Sequence, residues 1–123
     1  MKRLTATPPL PPGVYRRPPI VPNPFPLSEE QCRLFARARH GLWHAVRVLG
    51  LQAGDEVLVP AYHHGSEIEA LTQAGLLCRF YGSGSRLEPD EADLAELIGP
   101  RTRALYLIHY LGFPQDVRHW RAW

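Results

Sequence analysis

The chain has 123 residues, 45% of them hydrophobic and 21% charged, which is typical of one folded domain with a modest core. Its 13 arginines and one lysine exceed the 12 acidic residues by two charges, too small an excess to indicate nucleic-acid binding. No apolar run reaches the roughly 20 residues that cross a bilayer, and the two cysteines form neither a disulfide framework nor a C-x-x-C pair. We therefore expect a cytoplasmic protein without a nucleic-acid or membrane partner.

Proline dominates the start of the chain. Residues 8–26 hold nine of the 13 prolines, and proline fixes φ and lacks a backbone donor, so helix and central strand are both disfavoured. The sequence predicts an extended proline-rich arm over residues 1–27 and a folded domain over residues 28–123. Such an arm can lie over the domain or a partner subunit, and its Pro8-Pro9-Leu10-Pro11-Pro12 run is alternatively a ligand for an SH3-like groove.

Helices and strands are predicted to alternate from residue 28 onward. Apolar residues at helical spacing predict a first helix that ends before Gly50. It begins either at Ser28 or, after a short strand at residues 34–36, near Ala38. Short apolar runs predict three strands, at residues 56–59, 76–81 and 104–108. Further helices are predicted at residues 66–74, over residues 89–98 and after Asp116.

This alternation predicts an α/β fold, with a mostly parallel sheet between two layers of helices. Three strands are few for three or four helices, so the sheet looks incomplete. Parallel sheets bind ligands beyond the carboxyl ends of their strands. Those ends are Pro60–Ser66, Tyr81–Arg86 and His109–Gln115. Helix N-termini beside them can present free N–H groups to an anion such as a phosphate.

Three segments carry a resemblance to a known family. They are Gly54-Asp-Glu-Val-Leu-Val-Pro60, the helix end at Ala74-Gly75, and Pro100-Arg-Thr-Arg-Ala104 continued through His109, Gly112 and Pro114. In this order and spacing they resemble the DegT/StrS family of sugar aminotransferases, from about Phe35 to Asp116. The resemblance implies the aspartate aminotransferase fold, fold type I, with this chain as an incomplete N-terminal part of the large domain.

The same resemblance implies a function. Members of the family use pyridoxal 5′-phosphate, work as homodimers and transfer an amino group from an amino-acid donor to a keto sugar. No catalytic residue is assigned, because this chemistry needs a Schiff-base lysine and Lys2, in the predicted arm, is the one lysine of the sequence. The resemblance thus implies a fragment that is inactive by itself. A non-catalytic binding module of the same fold and an interaction protein that uses the proline arm are the alternatives. The resemblance also leaves open a complete protein without the lysine, as in the related sugar dehydratases, where histidine replaces it.

The resemblance also assigns three cofactor-binding residues. The family's Ser-Gly-Thr phosphate cradle aligns with residues 37–39, which assigns Ala38 and Arg39 to the phosphate. Ala38 departs from the family pattern, because glycine lets the backbone approach an anion closely. The aromatic residue that stacks on the cofactor ring aligns with His64. A surface arginine and a loop histidine bonded to backbone remain the alternative interpretations.

His63 and His109 are further candidates for the site. His63 is expected to point away from His64, since neighbours on an extended segment face opposite sides. His63, His64 and His109 supply three imidazoles for zinc, but no carboxylate or thiolate stands at ligand spacing. The sequence therefore predicts no metal site.

Overall fold

A computed structural model describes residues 12–16, 18 and 22–123. The chain divides into two compact units, Met1–Leu34 and Phe35–Trp123. In the first unit, Pro12–Arg16 forms a 3-10 helix. Residues 1–11, 17 and 19–21 lie outside the described residues, so the arm over residues 1–27 stays a prediction, as does most of its proline run at residues 8–12.

The first α-helix, α1, spans Ala38–Val48. It begins at the later of the two predicted positions, and neither a helix from Ser28 nor a strand at residues 34–36 forms. Part of the reason is local. The carbonyls of Glu30 and Cys32 accept hydrogen bonds from the Arg33 guanidinium, at 2.8 and 3.0 Å, where a helix would need them for backbone N–H groups.

The second unit contains one parallel sheet of three strands. They are β1 (Glu56–Pro60), β2 (Leu77–Tyr81) and β3 (Thr102–Leu105), in the order β2-β1-β3. β3 lies earlier than the predicted 104–108, because its pairing with β1 starts at Thr102 and crosses an irregularity between Glu56 and Val57. Tyr106 still donates its N–H to the carbonyl of Leu58 at 2.8 Å, and residues 107–109 continue as irregular chain.

Helices cover both faces of this sheet. Besides α1 they are α2 (Ser66–Gln73), α3 (Glu91–Leu97) and α4 (Val117–Ala122). A 3-10 turn lies at Tyr110–Gly112. On one face Val57 and Val59 of β1 pack with Val46 of α1 and Leu71 of α2. On the other face Leu58 packs with Tyr81 and with Leu94 of α3, and Trp120 of α4 joins them. The predicted three-layer α/β fold is confirmed for this part of the chain.

Each helix takes its position from local chemistry. α2 follows Gly65, whose φ of 104° brings the chain back toward the sheet. α3 and α4 are preceded by Asp90 and Asp116, whose carboxylates accept N–H bonds from the first turn. None of the described helices has the length and apolarity to cross a membrane.

Candidate functional site

The N-terminus of α1 offers unpaired backbone donors. Arg37 precedes the helix without a capping hydrogen bond from its side chain, and the first turn carries no acid. Within the described residues, no acceptor is bonded to the N–H groups of Ala38 and Arg39. Ala38 and Arg39 line a cleft of about 180 Å³ together with Leu42, Ser66, Glu67 and Tyr106. Free N–H groups at a helix start bind anions, so this cleft has the chemistry of a phosphate site.

The guanidinium of Arg39 is already engaged on one side. Its Nη1 lies 3.0 Å from Oε2 of Glu69, across the gap between α1 and α2. This pair is partly exposed, with the Arg39 side chain 33% accessible, so it contributes little to stability. A guanidinium carries five N–H donors, and the remaining ones are available to an anion in the cleft.

A second cleft adjoins the first, beyond the carboxyl end of β1. It has a volume of about 370 Å³ and is lined by Tyr62, His63, His64, Glu67, Ile108 and Tyr110. Residues 61–63 form a bend instead of an extended segment, and His63 and His64 both line this cleft. The ring of His63 stacks on Phe80 with centroids 5.5 Å apart, and its buried Nδ1 has no partner in the described part of the chain.

Glu67 belongs to the walls of both clefts. Its Oε1 accepts the backbone N–H of His64 at 3.1 Å, and its Oε2 accepts the hydroxyl of Ser66 at 3.0 Å. Burial by itself raises the pKa of this carboxyl, but the bonds from its own N–H, the His64 N–H and the Ser66 hydroxyl outweigh it, so the pKa lies below its ordinary value. Glu67 is therefore an ionised carboxylate at neutral pH. The resemblance did not assign it to the site.

Tyrosines close the second cleft. The hydroxyl of Tyr110 donates to the carbonyl of Tyr62 at 2.6 Å, and the two rings stack at 5.6 Å. Burial, reinforced by Tyr62 and Glu67, raises the pKa of Tyr110, and burial with Glu67 does the same for Tyr106. Both hydroxyls stay neutral at neutral pH. That of Tyr110 is engaged with the Tyr62 carbonyl, and that of Tyr106, which lines the smaller cleft, can donate a hydrogen bond.

The histidine after β3 has a structural contact. Nδ1 of His109 accepts the backbone N–H of Gln115 at 2.9 Å, which fixes the loop that follows β3. It does not line either cleft. Among the described residues no group of three histidine, cysteine or acidic side chains is placed to hold a metal ion.

A model of the DegT/DnrJ/EryC1/StrS aminotransferase family matches residues 29–123. The chain belongs to this family. It is 35% identical over 92 residues to the dTDP-4-dehydro-2,3,6-trideoxy-D-glucose 4-aminotransferase of Saccharopolyspora spinosa, which covers 74% of this chain and 24% of that protein. It is 30% identical over 78 residues to the GDP-perosamine synthase of Vibrio cholerae, covering 63% of this chain and 21% of the relative. The chain thus spans less than a quarter of the length of these two relatives.

Solved structures of sugar aminotransferases share the fold. DesV of S. venezuelae, solved with a ketimine intermediate, is 30% identical with a TM-score of 0.63, over 68% of this chain and 23% of DesV. CalS13 of Micromonospora echinospora is 31% identical with a TM-score of 0.59, over the same shares. A putative sugar aminotransferase from Streptococcus pneumoniae in its PLP form, 24% identical with a TM-score of 0.63, covers 69% and 22%. These likenesses confirm a fold-type I aminotransferase architecture, of which this chain is a part.

The residues of this DegT-family chain fit a phosphate-bearing cofactor at α1. Two N–H groups that have no acceptor in the described part of the chain belong to residues of one cleft, as does the Arg39 guanidinium, and His64 lines the adjoining cleft. The methyl group of Ala38 stands where the family pattern has glycine and limits how closely an anion can approach. The carboxylate of Glu67 adds a negative charge to the same cleft.

Proposed function

We propose that the complete protein is a pyridoxal-phosphate-dependent aminotransferase that transfers an amino group from an amino acid to a keto sugar. This chain supplies the N-terminal part of its large domain and is inactive by itself. The observation that carries the proposal is the family match over residues 29–123, together with relatives whose names are those of sugar aminotransferases. The short share of those relatives that the chain covers is why the activity is proposed for the complete protein.

We assign the cofactor contacts to both clefts. The N–H groups of Ala38 and Arg39 and the Arg39 guanidinium hold the phosphate, because they are the cationic and donor groups of the smaller cleft. His64 lies against the ring in the larger cleft. When bound, pyridoxal phosphate supplies the electron sink that amino-group transfer requires. Lys2 lies outside the described residues, so no side chain here is assigned to covalent attachment.

The neutral Tyr110 orients what enters the larger cleft. The Tyr110 hydroxyl donates its hydrogen bond to the Tyr62 carbonyl, and its oxygen can still accept a hydrogen bond in the cleft. The stacked rings of Tyr62 and Tyr110 form an apolar wall that shields the reacting groups from water on that side.

The proposal is tested with the protein made from the whole reading frame that contains this sequence. Incubated with pyridoxal phosphate, an amino acid and a nucleotide-linked keto sugar, it should form an amino sugar that mass spectrometry detects. The variant Arg39→Ala should weaken pyridoxal phosphate binding about tenfold or more, because it removes the one cationic side chain among the residues that line the smaller cleft. If pyridoxal phosphate binds and no amino sugar forms from any donor, the protein is instead a non-catalytic binding module.

We also propose that the complete protein is a cytoplasmic homodimer. The family resemblance supports the dimer, and the exposed apolar side chains of Trp43, Val48 and Leu49 at α1 supply a surface that a second subunit can cover. Light scattering of the same protein tests this state, with a monomeric mass as the contrary result.

A further inference from the structure

Glu67 places negative charge where the proposed cofactor brings more. Its carboxylate lines both the phosphate cleft and the ring cleft. The smaller cleft holds only about 180 Å³, so a phosphate inside it lies within a few ångströms of this carboxylate. Like charges at such distances in a partly buried site repel strongly.

The two helices that meet at the cleft differ in what their first turns leave free. α1 begins with Ala38 and Arg39, has no acid in its first turn and makes no capping bond from a side chain. α2 has Glu67 and Glu69 in its first turn, and Glu67 accepts the N–H of His64 just before the helix. The positive end of α2 is therefore neutralised by its own residue, whereas the positive end of α1 stays open to a ligand.

The contact between Glu67 and His64 links this charge to the ring cleft. The bond of 3.1 Å from the His64 N–H fixes the backbone from which the His64 imidazole projects. Gly65, next along the chain, has a φ of 104° and provides no side chain that can hold this turn. Glu67 thus fixes the backbone at His64, as the Tyr110 hydroxyl fixes it at Tyr62.

We propose that Glu67 is a specificity-determining residue of the cofactor site. Its carboxylate repels a phosphate from the start of α2 and so confines it to the N–H groups of Ala38 and Arg39. Its bond to the His64 N–H fixes the position of the His64 backbone in the ring cleft. This inference rests on the proposed function, since the phosphate-bearing ligand is the cofactor named there.

The test compares charge-matched variants of the protein from the whole reading frame. Glu67→Gln removes the charge and keeps one oxygen for the His64 N–H, and Glu96→Gln makes the same charge change on α3, away from both clefts. Calorimetry measures the affinity for inorganic phosphate, pyridoxal phosphate and pyridoxal. We expect Glu67→Gln to bind the two phosphate-bearing ligands about tenfold more tightly and pyridoxal within about twofold of wild type, with Glu96→Gln unchanged.

A third variant separates charge from position. Glu67→Asp keeps the charge and shortens the reach to His64, so it should bind phosphate as weakly as wild type. Phosphate binding by Glu67→Asp that is as tight as by Glu67→Gln would show that the lost His64 contact is the cause, and this overturns the proposal. Urea unfolding of each variant confirms that the compared proteins are folded.

The outcomes also separate this inference from the proposed function. Equal phosphate affinities in wild type and Glu67→Gln, including binding to neither, overturn the role of Glu67 even if the protein makes an amino sugar. Tighter phosphate binding by Glu67→Gln in a protein that never transaminates supports Glu67 and counts against the aminotransferase.

Discussion

Among the described residues, Glu56 is the buried side chain that carries a charge, with 5% of the residue exposed. Its Oε1 lies 2.8 Å from Nη2 of Arg101 and its Oε2 lies 3.6 Å from Nη1 of Arg79. Glu56 therefore links the start of β1 to the middle of β2 and to the residue before β3. Both arginines are largely exposed, which weakens the pairs. We expect Glu56→Gln to lower the free energy of unfolding by about 1–2 kcal/mol, measured by urea denaturation.

The control for Glu56 is an acid of the same type on the surface. Glu96→Gln removes an exposed carboxylate that makes no hydrogen bond to the described residues, and it should change the free energy of unfolding by less than about 0.5 kcal/mol. Equal effects of the two changes would mean that the arginine pairs of Glu56 do not stabilise the sheet.

Glu67 should make stability depend on pH. Its pKa in the folded chain lies below the reference value of 4.5, because burial is outweighed by hydrogen bonds to the carboxylate. A carboxyl whose pKa is lower in the folded than in the unfolded chain stabilises the folded state at pH values above the unfolded pKa. This contribution is lost as the pH falls through the folded pKa. The difference in unfolding free energy between wild type and Glu67→Gln should be complete at neutral pH and shrink from about pH 5 to about pH 3. Urea denaturation at several pH values measures it, and a difference constant with pH would contradict the link.

At the scale of elements, α1 and α2 end in the same way. Gly50 and Gly75 follow them with φ of 71° and 89°, and the N–H of each glycine and of the next residue bond back into the helix. A Cβ at position 50 would meet nothing within 4 Å, whereas one at position 75 would lie 2.9 Å from Cβ of Ala53. We expect Gly50→Ala to cost about 1 kcal/mol and Gly75→Ala at least about 1 kcal/mol more in urea denaturation. Equal costs would show that Ala53 moves aside freely.

These helix ends were predictable because their signals are local. A glycine after an apolar helical face predicts the stop, and the structure confirms it at Gly50 and Gly75. The bounds of β3 were not, because the register against β1 decides which residues pair, and the apolar run from Ala104 to Ile108 does not contain that information. The start of α1 was left between two positions for a similar reason, since the side-chain bonds of Arg33 that contribute to it cannot be read from apolar spacing.

The candidate site was predictable only in part. The resemblance assigns Ala38, Arg39 and His64, and the structure puts the first two on one cleft and the third on the next. Glu67 carries a sequence signal, since acids favour a first helical turn, but that signal indicates stability and not a cleft wall. The carboxylate of Glu67 reaches back to the His64 N–H across Gly65, whose φ is positive, and spacing alone cannot reveal such a bend.

At the scale of the whole sheet, β1 is the strand that contributes fully buried residues to both halves of the core. Val57 and Val59 belong to the cluster under α1 and α2, and Leu58, between them, belongs to the cluster under α3. Both clusters are small, and the helices on each face of the sheet pack against residues of β1. Loss of β1 would therefore remove the packing surface of both helix layers. Unfolding of the two layers should therefore be cooperative.

This cooperativity is tested by truncating one buried side chain in each cluster, in separate variants. Leu94 and Leu71 are 0% and 2% exposed on opposite faces, and truncation to alanine at either position should cost about 3 kcal/mol. We expect circular dichroism and tryptophan fluorescence to report a single, coincident urea transition for Leu94→Ala and for Leu71→Ala, shifted to lower urea by similar amounts. Leu111→Ala, at a position 97% exposed, should leave the transition in place. Two separate transitions in Leu94→Ala, with the α1 and α2 side persisting, would mean that the layers fold independently around β1.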